Sequence, residues 1–420
     1  MSDQKKHLML ALSRQGFGEA ILGLRVASEL KKRGDDVHVL AHDSNALLLR
    51  NGLPHLLFAS HACAFFKLYL DMCIAEFKPD FILLADYFTT ALFFEQAKLS
   101  PAMLKDLDIP IVAIDTWNSS RLPRPIDVFT NTQRPVALWE DRVVPIYPVP
   151  FLAPEEAAGV YQSLPEPVLL GRKSRQHLRS SLGVGEQEKA VLFCTAEWQH
   201  GNYESVEAIR IARWLPALVA DYVRRLGRDV HLIHVGPQAY DLKEMLQGKY
   251  HWLPPLPPTR FDALVASMDL LFSANISATT IAKAMVSQVP VLVLHNSVSA
   301  QTLEEAIAAI PASPSHFMKQ WMENTLPIFP FALWPLGYHK FLAPLLERNP
   351  YLDALDLAEV LDESLVQGRL SALLFDTAAR EEQIHRRAAY LSAVRSLPNG
   401  PDVINGKPGA YNEIPEHSYH

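Results

Sequence analysis

Short, wholly apolar runs, each followed by a polar residue and a more amphipathic stretch, recur along this chain. That recurrence restricts the fold more than any other feature. Residues 8–12, 81–85 and 111–114 are three such runs in the first third, and 37–41, broken only by His38, reads as a further strand. A run of four to six apolar residues suits a strand buried on both faces, as in a parallel sheet. Between the first two strands, residues 19–33 place Ile21, Leu24, Ala27 and Leu30 on one helical face. Lys31, Lys32 and Arg33 fall in the last turn, where cations suit the helix dipole, and Gly34 ends the helix. Strand–helix–strand alternation predicts a doubly wound parallel sheet.

The alternation resumes at residue 190. Strands are expected at 190–195, 230–235, 250–253, 270–273 and 289–294, with helices at about 203–226, 260–268 and 279–287. The remainder to about 396 reads as mostly helical. Proline, 31 in all, clusters between 123 and 167, where residues 143–146 still read as a strand. The expected division is an N-terminal domain over 1–165, a linker over 166–185, a second domain over 186–396 and a Pro/Gly-rich tail over 397–420. A length of 420 residues suits two or three domains.

Composition removes several classes of function. With 49% hydrophobic and 20% charged residues, the chain has material for full cores. A net charge of −7 provides no basic field, so no nucleic-acid partner is expected. Cys63, Cys73 and Cys194 form neither a disulfide framework nor a zinc pattern, and no metal site is expected. No run reaches the ~18 apolar residues of a membrane span and no signal peptide is visible, which predicts a cytoplasmic protein. The oligomeric state, a homodimer included, stays open.

Two segments resemble the GT-B nucleotide-sugar glycosyltransferases. In the first, Ser13 to Ala27 (SRQGFGEAILGLRVA), Glu19 falls at the family's His or Asp position, and Leu24 and Ala27 match its helix. The second, Met268 to Leu294, has strand, polar loop, a Thr279-Thr280 helix start, and Pro290 before a strand, as in the donor-binding segment. Lys283 stands where that family has a ribose-binding Glu, and Gln288 replaces its glycine. The resemblance implies two Rossmann-like domains facing a cleft. It further implies sugar transfer from a nucleoside diphosphate donor, such as a UDP or dTDP sugar, to a hydroxyl of a small acceptor. No further cofactor is expected, nor a metal, since a helix dipole and hydroxyls can hold the leaving diphosphate, and Glu19 as base would imply inversion. A nucleotide-sugar 2-epimerase and a non-catalytic partner protein are alternatives.

Each implied site residue has a plainer reading. Glu19 is the expected general base, with Asp86 and Asp115 as alternatives or orienting partners. All three can instead serve helix termini. Ser277, Thr279 and Thr280 would bind the diphosphate at a helix N-terminus, or simply cap it. Lys283 would add charge, or stand solvated. His200, Gly201 and Asn202 would approach a phosphate, or form a turn. Trp252 would stack on the base and Arg260 neutralise phosphate, or they serve core and surface. Trp334, Gly337, Tyr338 and His339 would touch the donor sugar or form a lid, or pack as a hydrophobic clasp. The aromatic segments 61–73 and 87–94 would line a fairly apolar acceptor pocket, or fill the core.

Overall fold

The computed structural model describes residues 4–14, 17–120, 139, 142–150, 159–200, 206–227, 229–337 and 339–405. They form two compact units. One holds the residues up to Ser163 together with those from Ala393; the other is Leu164–Ser392.

The first unit runs β1 (Lys6–Ala11), α1 (Gly18–Lys32), β2 (Asp36–His42), β3 (His55–Phe58), α2 (Phe66–Phe77), β4 (Phe81–Leu84), α3 (Tyr87–Gln96), α4 (Ala102–Lys105), β5 (Ile111–Ile114), β6 (Val143–Pro148) and β7 (Val160–Tyr161). Its strands are all parallel, in the order β3-β2-β1-β4-β5-β6-β7. Met9, Ala11, Leu83, Ala85, Val112 and Ile114 form a buried face under Leu24, Val26, Ala27 and Leu30 of α1. The expected α1 stripe is thus the packed one.

The second unit runs α5 (Arg172–Ser181), β8 (Lys189–Cys194), α6 (Val206–Arg224), β9 (Val230–Val235), β10 (Tyr250–Leu253), α7 (Pro258–Ser267), β11 (Leu270–Ser273), α8 (Thr279–Val286), β12 (Val291–His295), α9 (Leu303–Ala308), α10 (His316–Thr325), α11 (His339–Leu346), β13 (Asp356–Glu359), α12 (Glu363–Phe375) and α13 (Thr377–Arg395). Its sheet is also wholly parallel, ordered β10-β9-β8-β11-β12-β13. The last residues of α13 belong to the first unit, as does α14 (Gly400–Asn405).

Both sheets are Rossmann-like, as the alternation predicts. In each, the strand order reverses beside the first strand, between β1 and β4 and between β8 and β11. Ligands of such sheets bind beyond the carboxyl ends of the strands at that reversal.

Several boundaries differ from expectation. β3 and β13 are edge strands outside the expected set, each pairing on one side only, and β13 (DLAE) carries no apolar run. β7 lies in the proline-rich stretch. α5 occupies the expected linker, and its Arg179 is buried against Asp269 at 2.7 Å. α14 occupies part of the expected tail, where Arg33 holds Asp402 at 2.6 Å and Gln162 N donates to Pro398 O at 2.9 Å. Residues 406–420 lie outside the described residues. No helix among the described residues is long and apolar enough to cross a membrane.

Candidate functional site

At the reversal of the first sheet the chain brings carboxyl groups together. β4 ends at Leu84, Ala85 N donates to Leu10 O at 2.9 Å, and Asp86 follows as the N-cap of α3. Asp86 Oδ1 accepts from Thr89 N at 2.6 Å. Its Oδ2 is buried with no hydrogen-bond partner among the described residues. Glu19, half-buried in the first turn of α1, lies within electrostatic reach of Asp86, as does Asp115 just past β5.

The three carboxyls differ in environment. Burial, then the charges of Glu19 and Asp115, push Asp86 up to about 8, against the opposing Thr89 N–H. Burial raises Glu19, opposed by its own backbone N–H. Burial raises Asp115 too, but that group is enclosed by donors. Ser119 N reaches its Oδ1 at 2.8 Å, and Ser120 N and Oγ reach its Oδ2 at 2.8 and 2.6 Å. Asp115 therefore closes its own turn. The charge of Glu19 adds to burial in favouring the protonated form of Asp86, so the two carboxyls act as an electrostatic pair.

The second sheet reverses at β8 and β11, and α8 begins there. Ala278 caps α8 with no side-chain hydrogen bond, so Ser277, Thr279 and Thr280 do not serve as its N-cap. Its first N–H groups carry the positive end of the helix dipole. Thr280 hydrogen-bonds the Cys194 thiol at the end of β8, and burial pushes that thiol up to about 12. The Oδ1 of Asn275, in the same loop, is buried without a partner among the described residues.

His200 lies in a network absent from the sequence reading. Gln238 Nε2 donates to its Nδ1 at 2.7 Å, and its Nε2 is 3.0 Å from Thr195 Oγ1 and 3.2 Å from the Tyr240 hydroxyl. His234 Nε2 meets Thr195 Oγ1 at 2.8 Å, and its Nδ1 meets the Tyr250 hydroxyl at 2.8 Å. Burial, then His200, push His234 down to about 3, so it is neutral. A Cβ on Gly236 would stand 2.1 Å from Thr195 Oγ1, so only glycine leaves room for the network. The strand end His234–Gly236 was its only signal in the sequence. Gly201, Asn202 and Tyr338 lie outside the described residues, and only the backbone of His339 is described, at the start of α11.

Other expectations are corrected by packing. The Lys283 ammonium is ion-paired with Asp262 on α7 and lies 5.6 Å from the Phe261 ring centroid, with the residue 6% exposed. It is not a solvated cation awaiting phosphate. Trp334 is fully buried, its Nε1 donating to Ile211 O at 2.9 Å, and so belongs to the core rather than to a lid. Gly337 has φ +62° and packs beside Phe329. Trp252 stays 39% exposed with its Nε1 donating to Gly236 O at 3.0 Å, and Arg260 is exposed on α7. In the aromatic segments, Phe66, Phe93 and Phe94 pack with Phe58 and Trp139, leaving Phe65, Leu68 and Met72 exposed. Among the described residues, no group of three or more His, Cys, Asp or Glu is arranged to hold a metal ion.

A family model matches residues 26–407 of the chain. The protein belongs to DUF6365, a family of unknown function. No curated protein matches this DUF6365 chain. Among solved structures, Arabidopsis thaliana UGT89C1 in complex with quercetin is similar with a TM-score of 0.55 at 11% identity, covering 96% of this chain and 98% of that one. The spinosyn rhamnosyltransferase SpnG gives 0.54 at 12%, covering 96% and 99%. A glycosyltransferase from Rickettsia africae ESF-5 gives 0.51 at 12%, covering 99% and 100%. These likenesses establish the GT-B fold for this DUF6365 member.

Proposed function

We propose that this DUF6365 protein is a glycosyltransferase that moves a sugar from a nucleoside diphosphate to a hydroxyl of a small acceptor. The carrying observation is the Glu19–Asp86 pair at the reversal of the first sheet, where a base of raised proton affinity is available near neutral pH. In this reading the acceptor oxygen forms its bond to the anomeric carbon while its proton passes to Glu19. The bond from that carbon to the diphosphate oxygen breaks, with inversion. Asp86, protonated near neutrality, donates to Glu19 and keeps the pair at a single negative charge. Asp115 holds the neighbouring turn.

The second unit would hold the donor. The N-terminus of α8 meets the leaving diphosphate with unsatisfied N–H groups and the hydroxyls of Ser277, Thr279 and Thr280. Such a site stabilises the leaving charge with no demand for a metal. Trp252 offers an exposed ring for the base, and Arg260, exposed on α7, and His200 would approach the phosphates. Phe65, Leu68 and Met72, exposed on and just before α2, give the acceptor side its apolar surface.

Calorimetric titration with UDP, dTDP, GDP, ADP and CMP tests the donor half. One diphosphate is expected to bind, and Thr280→Ala to weaken it by about 10-fold, the value of one hydrogen bond to a charged group. Absence of binding by all five would overturn the reading.

A further inference from the structure

We propose that Gly23 is the positioning residue that seats Glu19 against Asp86, by letting α1 rest directly on the end of β4. The inference rests on the glycosyltransferase reading for its kinetic consequence, but not for its geometry. A Cβ built on Gly23 would lie 2.6 Å from Ala85 Cβ and 2.8 Å from Ala85 Cα. Real Cβ atoms do not approach so closely, and the obstructing atoms include backbone. Glu19 lies one turn earlier on the same helical face, and Asp86 is the residue after Ala85. The Gly23–Ala85 contact therefore fixes how deep α1, and with it Glu19, sits over the end of β4, where Asp86 follows.

A second glycine contact lies three residues further along the same side of α1. Gly400 of α14 stands where a Cβ would be 2.8 Å from Val26 Cγ2 and 3.4 Å from the Tyr161 ring. Arg33, just past α1, holds Asp402 and Asn399 at 2.6 Å each. The helix carrying Glu19 thus packs against both the end of β4 and α14, with a glycine at each contact. Helix propensity disfavours glycine at an interior position such as 23 by roughly 1 kcal/mol relative to alanine, so its presence there answers to the close approach. The charged or titratable groups facing Asp86 are Glu19 from α1, Asp115 from the end of β5 and Tyr161 from β7.

Gly23→Ala would lift α1, part the two carboxyls and admit water. The test measures kcat, donor KM and the pH–rate profile of the full chain, beside the difference in Tm between each protein and its Asp86→Asn counterpart from pH 5 to 9. The expected result is a fall in kcat of about 10–100-fold with donor KM unchanged. The pH dependence of the Tm difference flattens as Asp86 returns toward an ordinary carboxyl. Adding Ala85→Gly to Gly23→Ala recovers part of both. If Gly23→Ala does not fold, Ala85→Ser presses the same contact from the strand side and is read identically. Unchanged kcat with an unchanged Tm–pH difference would overturn the proposal, as would a loss that Ala85→Gly does not relieve. If the parent chain turns over no nucleotide sugar, the Tm–pH comparison still decides the positioning claim, so the two failures are separable.

Discussion

In the proposed reaction Asp86 sets the charge of the base, and one of its oxygens is spent on a helix cap while the other has no partner among the described residues. Its folded proton affinity is raised to about 8, whereas an unfolded Asp titrates near 4. Between those values the folded state holds a proton that the unfolded chain has released. Stability therefore falls as pH rises through this window and levels off above it. Asp86→Asn removes that dependence, and at pH 8 it should raise the Tm by about 2–4 °C relative to the parent, with little difference at pH 5. Thermal unfolding of the two proteins across that range reads the sign. A carboxyl after a buried strand, and Asp86 or Asp115 as an orienting partner of Glu19, were legible in the sequence; which of the two keeps an oxygen free was not, since that depends on the donors each turn returns to its own carboxyl.

At the level of elements, helix termini decide which expected residues can act. Asp115 looked equivalent to Asp86 in the sequence, yet its turn returns three donors to it. The α8 start was legible from the Ser/Thr cluster, and the bare N-terminus removes the plain capping reading. Lys283 was misjudged because its partner, Asp262, lies 21 residues away on α7, beyond any helical spacing. Lys283→Met breaks a pair whose carboxylate side chain is 28% exposed, so a loss of about 1–2 kcal/mol in denaturant unfolding is expected. Nucleoside diphosphate affinity should stay within about threefold of the parent, since the ammonium already has a protein partner. A larger loss of affinity would return Lys283 to the donor site.

At the scale of the molecule, two wholly parallel sheets follow from the alternation of apolar runs and helices, and their central strands were legible within a residue or two. Of the four edge strands only β10 was: β3, β7 and β13 also pair at the margins, where half a strand's surface need not be apolar. Nor did the tail reveal that α14 returns to the first unit, because a six-residue helix with Gly and Pro in its first turn carries no periodic signal. The fold sets both switch points, and the account assigns the base to one and the diphosphate to the other. The most direct test is the release of nucleoside diphosphate from the sugar nucleotide that the titrations select, with a panel of hydroxyl acceptors, by the parent and by Glu19→Gln. The account predicts acceptor-dependent turnover by the parent. It predicts a loss of about 10²–10⁴-fold in kcat for Glu19→Gln with its fold and nucleotide affinity intact. Equal turnover by the two proteins, or none by the parent, would contradict it.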